Sequence, residues 1–348
     1  LGLLPGAGGT QRLPRLIGAQ AALKAIVSGD PIMAPQAQKL GIVDRIAEGD
    51  IVEEGIKYAE EIVAAGSATR KIRDLTDKIA GDKGNTAVFE NAAAQLNKTN
   101  RGQFAPAQIL KCVEAAVNAD SFDAGMAVER ECFAACMQDP QREALIHIFF
   151  AERAANKIPG LSKDDPLIDI NKGSVIGSGT MGGGIAMCFA NAGIPVRLHD
   201  NNAENLAKGL KVIEGNYART VSKGRLTQEA MDKRMSLIIP TENFDDLGDA
   251  DVVIEAVYEN LDLKKEIFAK LDKVMKPGAL LATNTSGLDV DAIANMTSRP
   301  EFVCGMNFFS PANVMRLLEV VRGDASSHAT LGTAMALGKR LGKVSVMA

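Results

Sequence analysis

The pattern of apolar and polar positions changes about halfway along the chain. From Pro14 to about Asn156 apolar residues recur at helical spacing, and Val52, Ile56, Ala59 and Val63 fall on one face, predicting an amphipathic helix with that face buried. Gly41 and Gly66 stand where such helices would stop, and Ile42-Val43-Asp44-Arg45-Ile46 is the one stretch of this half that reads as a strand. Residues 144–151 (ALIHIFFA) are apolar nearly all round, which predicts a helix pressed between two bodies, with His147 as a hydrogen-bonded core histidine. Lys157 to Pro166 combines Pro, Gly and charge and predicts an interdomain linker. Beyond it, short β-rich runs at 173–176, 195–199, 251–256, 279–283, 302–308 and 317–321 alternate mostly with helical segments, the signature of a doubly wound α/β sheet.

A length of 348 residues and 46% apolar content suit about two domains. The divisions expected are 1–139, 140–170 (a linker helix and linker) and 171–348. A formal net charge of -4, no sustained Lys/Arg run and 4% aromatic residues argue against nucleic acid and favour small-molecule chemistry. No apolar run approaches the roughly 20 residues of a membrane span. The five cysteines are an odd number without metal-ligand spacing, so a reducing compartment fits and no metal is expected; Cys132 and Cys136 should share a helix face in a core. The chain opens on Leu1-Gly2-Leu3-Leu4 without a methionine and closes on a run, 343–348, that reads as an interior strand. It is therefore expected to be a piece of something longer.

Candidate chemistry begins at 174–184 (SVIGSGTMGGG), which places Gly-x-Gly-x-x-Gly after a strand and at the head of an apolar helix. The first glycine permits the tight turn, the second lets backbone approach a pyrophosphate, the third allows close helix packing, and the helix N-terminus attracts the anion. The next strand ends in Asp200, 18 residues beyond Gly182, where a carboxylate can accept from ribose hydroxyls. Asp200 repels a 2′-phosphate, and Asn201-Asn202-Ala203-Glu204 supplies no cation for one, so NAD is favoured over NADP. His199 beside it reads as strand-end packing. An earlier glycine-rich stretch, Pro5-Gly6-Ala7-Gly8-Gly9-Thr10, lacks the P-loop lysine-serine pair and a preceding strand, so it needs another explanation.

Residues 1–13 (LGLLPGAGGTQRL) resemble the enoyl-CoA hydratase (crotonase) family just after its second catalytic glutamate. That resemblance makes the first half the helical C-terminal part of a crotonase-like domain, with Gly6 at a position whose backbone lines the hydratase site. The second half resembles the NAD domain of L-3-hydroxyacyl-CoA dehydrogenases, and the order of parts resembles the bifunctional enzymes of fatty-acid β-oxidation. By this resemblance NAD is the cofactor, held at Gly177, Gly179, Met181, Gly182, Asp200, Glu259, Lys264 and Ser286, and Lys223 matches a position that meets the phosphates of an acyl-CoA substrate. Glu259 could equally cap the helix that begins near Asn260. A residue such as Ser286, which follows a parallel strand, lies at the carboxyl edge of the sheet, where ligands of such folds bind.

The family's general base is a histidine in Gly-x-His-Phe-Phe, held by a glutamate twelve residues later. Here those positions are Asn307 and Glu319. Asn307 can donate to a substrate oxygen but does not titrate near neutral pH, so proton transfer would fall to water or Glu319. Glu319, if buried, should be harder to ionise without an imidazolium beside it. The family also closes its pocket with a helical domain after the NAD domain. The resemblance further implies a thiolase partner or homo-oligomer for a full-length enzyme, in the cytoplasm if bacterial and the peroxisomal matrix if eukaryotic. The expected function is 3-hydroxyacyl-CoA oxidation with NAD; the alternatives are an NAD-binding scaffold without turnover and another hydroxy-acid dehydrogenase, which would leave residues 1–156 unexplained.

Overall fold

The computed structural model of the protein describes residues 1–66, 69–155, 158, 160 and 166–348. They divide into two compact units, Leu1–Phe150 and Ala151–Ala348. The expected linker, 157–166, lies largely outside the described residues.

The first unit is helical, with a core that includes Leu4, Leu23, Phe89, Ile109 and Val113. Cys132 and Cys136 lie one turn apart on the helix Phe122–Gln138 and pack into that core together with Cys112 of the helix Phe104–Asn118. No strand forms at 42–46. A single extended segment without a neighbouring strand cannot satisfy its backbone groups in a ladder. Side chains hold this one instead, with Arg70 bonding both Asp44 oxygens at 2.9 and 3.0 Å and Arg45 pairing with Glu61 while covering the Tyr58 ring.

The amphipathic helix forms at Ile51–Ala64, and Asp50 caps it by accepting from the amides of Val52 and Glu53. Its apolar face is nevertheless uncovered, with Val52 and Val63 64% and 79% exposed. The spacing was sufficient to specify a helix, but among the described residues no neighbour covers that face. The helix Pro140–Ala155 likewise has no buried residue, and His147 is exposed rather than part of a core. A helix that is apolar on all sides carries no signal of which side, if any, is covered.

The second unit is a single eight-stranded sheet of β1 (Gly173–Ile176), β2 (Val196–His199), β3 (Ile238–Thr241), β4 (Val252–Glu255), β5 (Leu280–Thr283), β6 (Val303–Phe308), β7 (Leu317–Val321) and β8 (Val344–Met347). Its spatial order is β3-β2-β1-β4-β5-β6-β7-β8, and every pairing is parallel except β6 with β7. Strands covered on both faces read as continuous apolar runs. Alternate residues therefore feed two helical layers: Val252, Ile254 and Leu280 enter one core, while Val253 and Leu281 enter the other. β3 escapes a sequence reading because Pro240 interrupts its pattern, and a proline in a strand is tolerated at a sheet edge, where β3 lies. Residues 344–347 form the expected strand, but at the opposite edge of the sheet rather than in its interior, and only Ser345 of it is buried.

The chain order runs outward from β1 through β2 to β3, then returns to β4 on the other side of β1. A crevice therefore opens at the carboxyl ends of β1 and β4, where the connections diverge. Phe268, on the helix Leu261–Val274, is fully buried beneath that crevice's β4–β5 side. Phe268→Ala is expected to lower stability by about 3–5 kcal/mol, read as a fall in the denaturant midpoint.

Candidate functional site

β1 ends in a turn that only glycine can make. Gly177 has φ 98°, and a Cβ there would stand 2.7 Å from the Ala256 carbonyl oxygen. A Cβ on Gly182 would strike the Gly177 carbonyl, so the helix Thr180–Asn191 starts against the end of its own strand. Gly179 has open space where a Cβ would be, and no side chain caps the helix it precedes. The amides of that first turn, with the positive end of the helix dipole, form an anion site. Gly184, next along, is where the loop after β6 crosses the helix, since its Cβ would lie 3.0 Å from that of Ala312.

Asp200, just past β2, completes the loop. Its Oδ2 accepts from the Ser178 amide at 3.0 Å and the Ser178 hydroxyl at 2.7 Å, and its Oδ1 accepts from the Asn202 amide at 3.2 Å. Ser178 is itself immobilised, because Gly209 of the helix Ala203–Ser222 packs directly on it. These groups line a cleft of about 1210 Å³ that includes Gly177, Gly179, Met181, Asp200 and His199. A glycine cradle, a helix start that no side chain caps and a fixed acid at the next strand end fit a dinucleotide's pyrophosphate and adenosine ribose.

His199 is buried at the cleft's β2 side, with Nδ1 bonded to the Thr241 carbonyl at 3.1 Å and its ring edge-on to Phe244. Burial lowers its pKa, and the Thr241 carbonyl, Asp200 and Asp246 only partly oppose this.

A second cavity of about 360 Å³ shares Met181, Ala256 and Val257 with the first. It is lined by Glu259, Asn284, Ser286 and Asn307. Asn307 is buried on β6 and faces Glu319 of β7 in antiparallel register, donating from Nδ2 to Oε2 at 2.9 Å. Glu319 is only partly buried. Asn284 accepts from the Phe308 amide at 2.8 Å, tying the end of β5 to the end of β6.

Glu259 does not cap the helix Leu261–Val274. Asn260 does, accepting from the Leu263 amide at 2.9 Å. Glu259 instead accepts from the Thr285 hydroxyl at 2.5 Å and the Ser286 amide at 3.2 Å, and pairs with Lys264 at 3.3 Å. Burial pushes its carboxyl up, but Thr285, the Lys264 ammonium and the Ser286 amide outweigh that and hold it below the ordinary glutamate value. Lys264 is wholly buried, lines neither cavity and is held between Glu255 and Glu259. Lys223 is exposed at the end of the helix Ala203–Ser222 and also lines neither. Gly6 lies in the other unit, exposed, its carbonyl accepting from Gly9 at 3.1 Å.

Four contributors carry no role in the sequence reading: Ser178, Glu255, Asn284 and Thr285. Glu255 had a legible signal, an acid closing the apolar run Val252-Val253-Ile254. Among the described residues no group of His, Cys, Asp and Glu could hold a metal ion, and no helix is long and apolar enough to cross a membrane.

The family model for the 3-hydroxyacyl-CoA dehydrogenase NAD binding domain matches residues 172–348, just over half of the chain. The chain belongs to that family. Its cofactor is NAD. A second model, enoyl-CoA hydratase/isomerase, matches residues 1–101, so a hydratase-like segment precedes the NAD domain. Peroxisomal bifunctional enzymes of Danio rerio and Homo sapiens are 41% and 40% identical over 350 and 351 residues, covering 99% and 100% of this chain. The chain spans 48% of the length of each. Among solved structures, an Escherichia coli 3-hydroxybutyryl-CoA dehydrogenase is 40% identical, with TM-score 0.51 over 51% of this chain and 38% of that one. The dehydrogenase part of multifunctional enzyme 1 from Caenorhabditis elegans is 32% identical, with TM-score 0.51 over 57% of this chain and 47% of that one.

Because the folded state disfavours the His199 imidazolium, its stabilising effect is complete above the unfolded pKa of about 6.5 and is lost as pH falls from there through the lower folded value. Thermal midpoints measured from pH 8 to pH 5 should therefore fall through that window, and His199→Asn should flatten this step.

Proposed function

We propose that this chain is the NAD-binding part of a 3-hydroxyacyl-CoA dehydrogenase that also carries a hydratase segment, acting on acyl-CoA thioesters in fatty-acid β-oxidation. The domain assignment proposed with it is 1–139 crotonase-like, 140–170 linker helix and linker, and 171–348 dinucleotide-binding. NAD, when bound, supplies the acceptor for the hydride leaving C3 of the substrate, which becomes a 3-ketoacyl-CoA. The chain's own groups bind and orient. The amides around Gly179 take the pyrophosphate, Asp200 accepts from the adenosine ribose, and Glu259 and Ser286 meet the other half of the cofactor. Lys223 meets CoA phosphates, and Gly6 belongs to the hydratase site. Relatives named as peroxisomal support a peroxisomal matrix setting for a eukaryotic source, and a bacterial source implies the cytoplasm. A thiolase or further copies of the chain are the partners proposed.

The observation that carries this function is the shared wall of two neighbouring cavities: Met181, Ala256 and Val257 line both the dinucleotide cleft and a pocket presenting Ser286 and Asn307. Asn307 also sets its limit. One N–H of its amide is engaged by Glu319 and the other can donate to a substrate oxygen, but neither the amide nitrogen nor the carbonyl oxygen takes a proton near neutral pH. Asn307 therefore polarises a substrate oxygen without removing its proton, and turnover is low. The same observation favours a second reading, an NAD-binding protein without turnover.

Asp200→Ala should weaken NADH binding by at least about tenfold in a fluorescence titration, from loss of charge-assisted hydrogen bonds; equal affinities would refute the cofactor site. Asn307→His should raise NAD reduction by a 3-hydroxyacyl-CoA about 10²- to 10⁴-fold. No gain over wild type would leave the binding-only reading.

A further inference from the structure

The carboxyl end of β4 carries a set of charges that the proposed chemistry leaves without a task. Glu255 and Lys264 are both fully buried, and the lysine Nζ donates to the two glutamate oxygens at 2.8 and 3.0 Å. The Thr283 hydroxyl at 2.7 Å and the Val257 amide at 2.8 Å complete the carboxylate's partners. Glu255 stands in register with Ile176 of β1 and Thr283 of β5, so this pair sits at the point where the connections diverge. An ion pair withdrawn this far from water loses in hydration much of what it gains in attraction, and apolar side chains of similar volume are commonly no less stabilising. Stability alone is thus a weak reason for its presence.

Lys264 has a second carboxylate, Glu259, at 3.3 Å. Of the three residues, Glu259 alone lines the smaller cavity, where Thr285 and the Ser286 amide hold its other oxygen. Two carboxylates and one ammonium leave one negative charge, and its accessible end is Glu259. With Asp200 at the end of β2 and the glycine loop at the end of β1, a dinucleotide laid across the crevice has its second nucleoside over β4 and β5. The redox ring of that nucleoside is cationic when oxidised and neutral when reduced.

We propose that Glu255 is a positioning residue which, through Lys264, fixes the Glu259 carboxylate at the smaller cavity, and that the three groups form a unit of net charge -1 favouring NAD⁺ over NADH. The proposal rests on the cofactor assignment made above. A fixed charge in a partly dry site acts more strongly than one in water, and it discriminates between two ligands that differ by one charge in the same ring.

The test measures dissociation constants of NAD⁺ by calorimetry and of NADH by fluorescence on the whole chain. Glu255→Gln neutralises the unit at its buried end and should shift the affinity ratio toward NADH by about fivefold. Glu259→Gln should shift it in the same direction and, being 44% exposed, reports on the charge even where the buried variant does not fold. The double variant Glu255→Leu/Lys264→Met removes the pair but keeps the net charge. It should hold the wild-type ratio while weakening both ligands by about tenfold, because Glu259 loses its support. A ratio unchanged in both glutamine variants overturns the charge unit, and wild-type affinities in the double variant overturn the positioning role. A wild-type chain that binds neither ligand overturns the cofactor assignment and this inference with it, a result distinct from the other two.

Discussion

The dinucleotide unit depends on two places where no Cβ fits, Gly177 against the Ala256 carbonyl and Gly182 against the Gly177 carbonyl. Together they let a helix begin within one tight turn of the strand that precedes it. The consequences follow in order. The helix N-terminus arrives at the carboxyl edge of the sheet with no side-chain cap, and Gly179 leaves the approach to it open. The Ser178 between these glycines is turned toward β2, where it immobilises Asp200. A larger residue at either tight position would push helix and strand apart, separating the anion site from the acid that accompanies it.

The other organising feature is the single antiparallel pairing of the sheet. β7 runs against β6, which sets residue 307 opposite residue 319 through the ladder itself rather than through any property of their side chains. The pairing geometry therefore persists whatever residue stands at 307. An asparagine preserves the donor toward Glu319 and fills its place in a strand otherwise buried along its whole length. It cannot preserve a basic nitrogen. Binding geometry and proton-transfer capacity are thus separable here: the backbone secures the former, and the identity of one side chain decides the latter.

Most of the architecture of the second unit was legible because its elements satisfy local and global demands together. Six strands fell within about a residue of their apolar runs, since strands covered on both faces are built mostly of apolar residues. Asp200 was found by its distance from the glycines. What escaped notice depended on partners distant in sequence. Ser178 occupies a position in the glycine motif with no required identity, and its role arises only from the approach of Gly209 and Asp200. Lys264, by contrast, reads as a ligand group by its place in the motif, and Glu255, only nine residues earlier, draws it into the interior. In the first unit, periodicity specified the helix Ile51–Ala64 correctly but not its burial, because spacing records which side of a helix is apolar and carries no information on whether anything packs there.

The two glycine-rich stretches make the same distinction from the side of chemistry. Both turn the chain into a helix and both direct backbone amides toward a negative charge. At Pro5–Thr10 the charge is internal: Glu129, buried on the helix Phe122–Gln138, accepts from the Gly8 amide at 2.6 Å and the Thr10 amide at 3.1 Å, and also from the Thr10 hydroxyl. That anion site is therefore satisfied within the fold, which explains a motif that resembled a phosphate loop without its lysine. At 177–182 no side chain fills the equivalent place, and the nearest acid, Asp200, is held to one side by Ser178. A glycine-rich turn before a helix thus states only that an anion is accommodated. Whether that anion is a residue of the same chain or a ligand is decided by a carboxylate 119 residues away from Thr10 in one case and by the lack of a side-chain cap in the other.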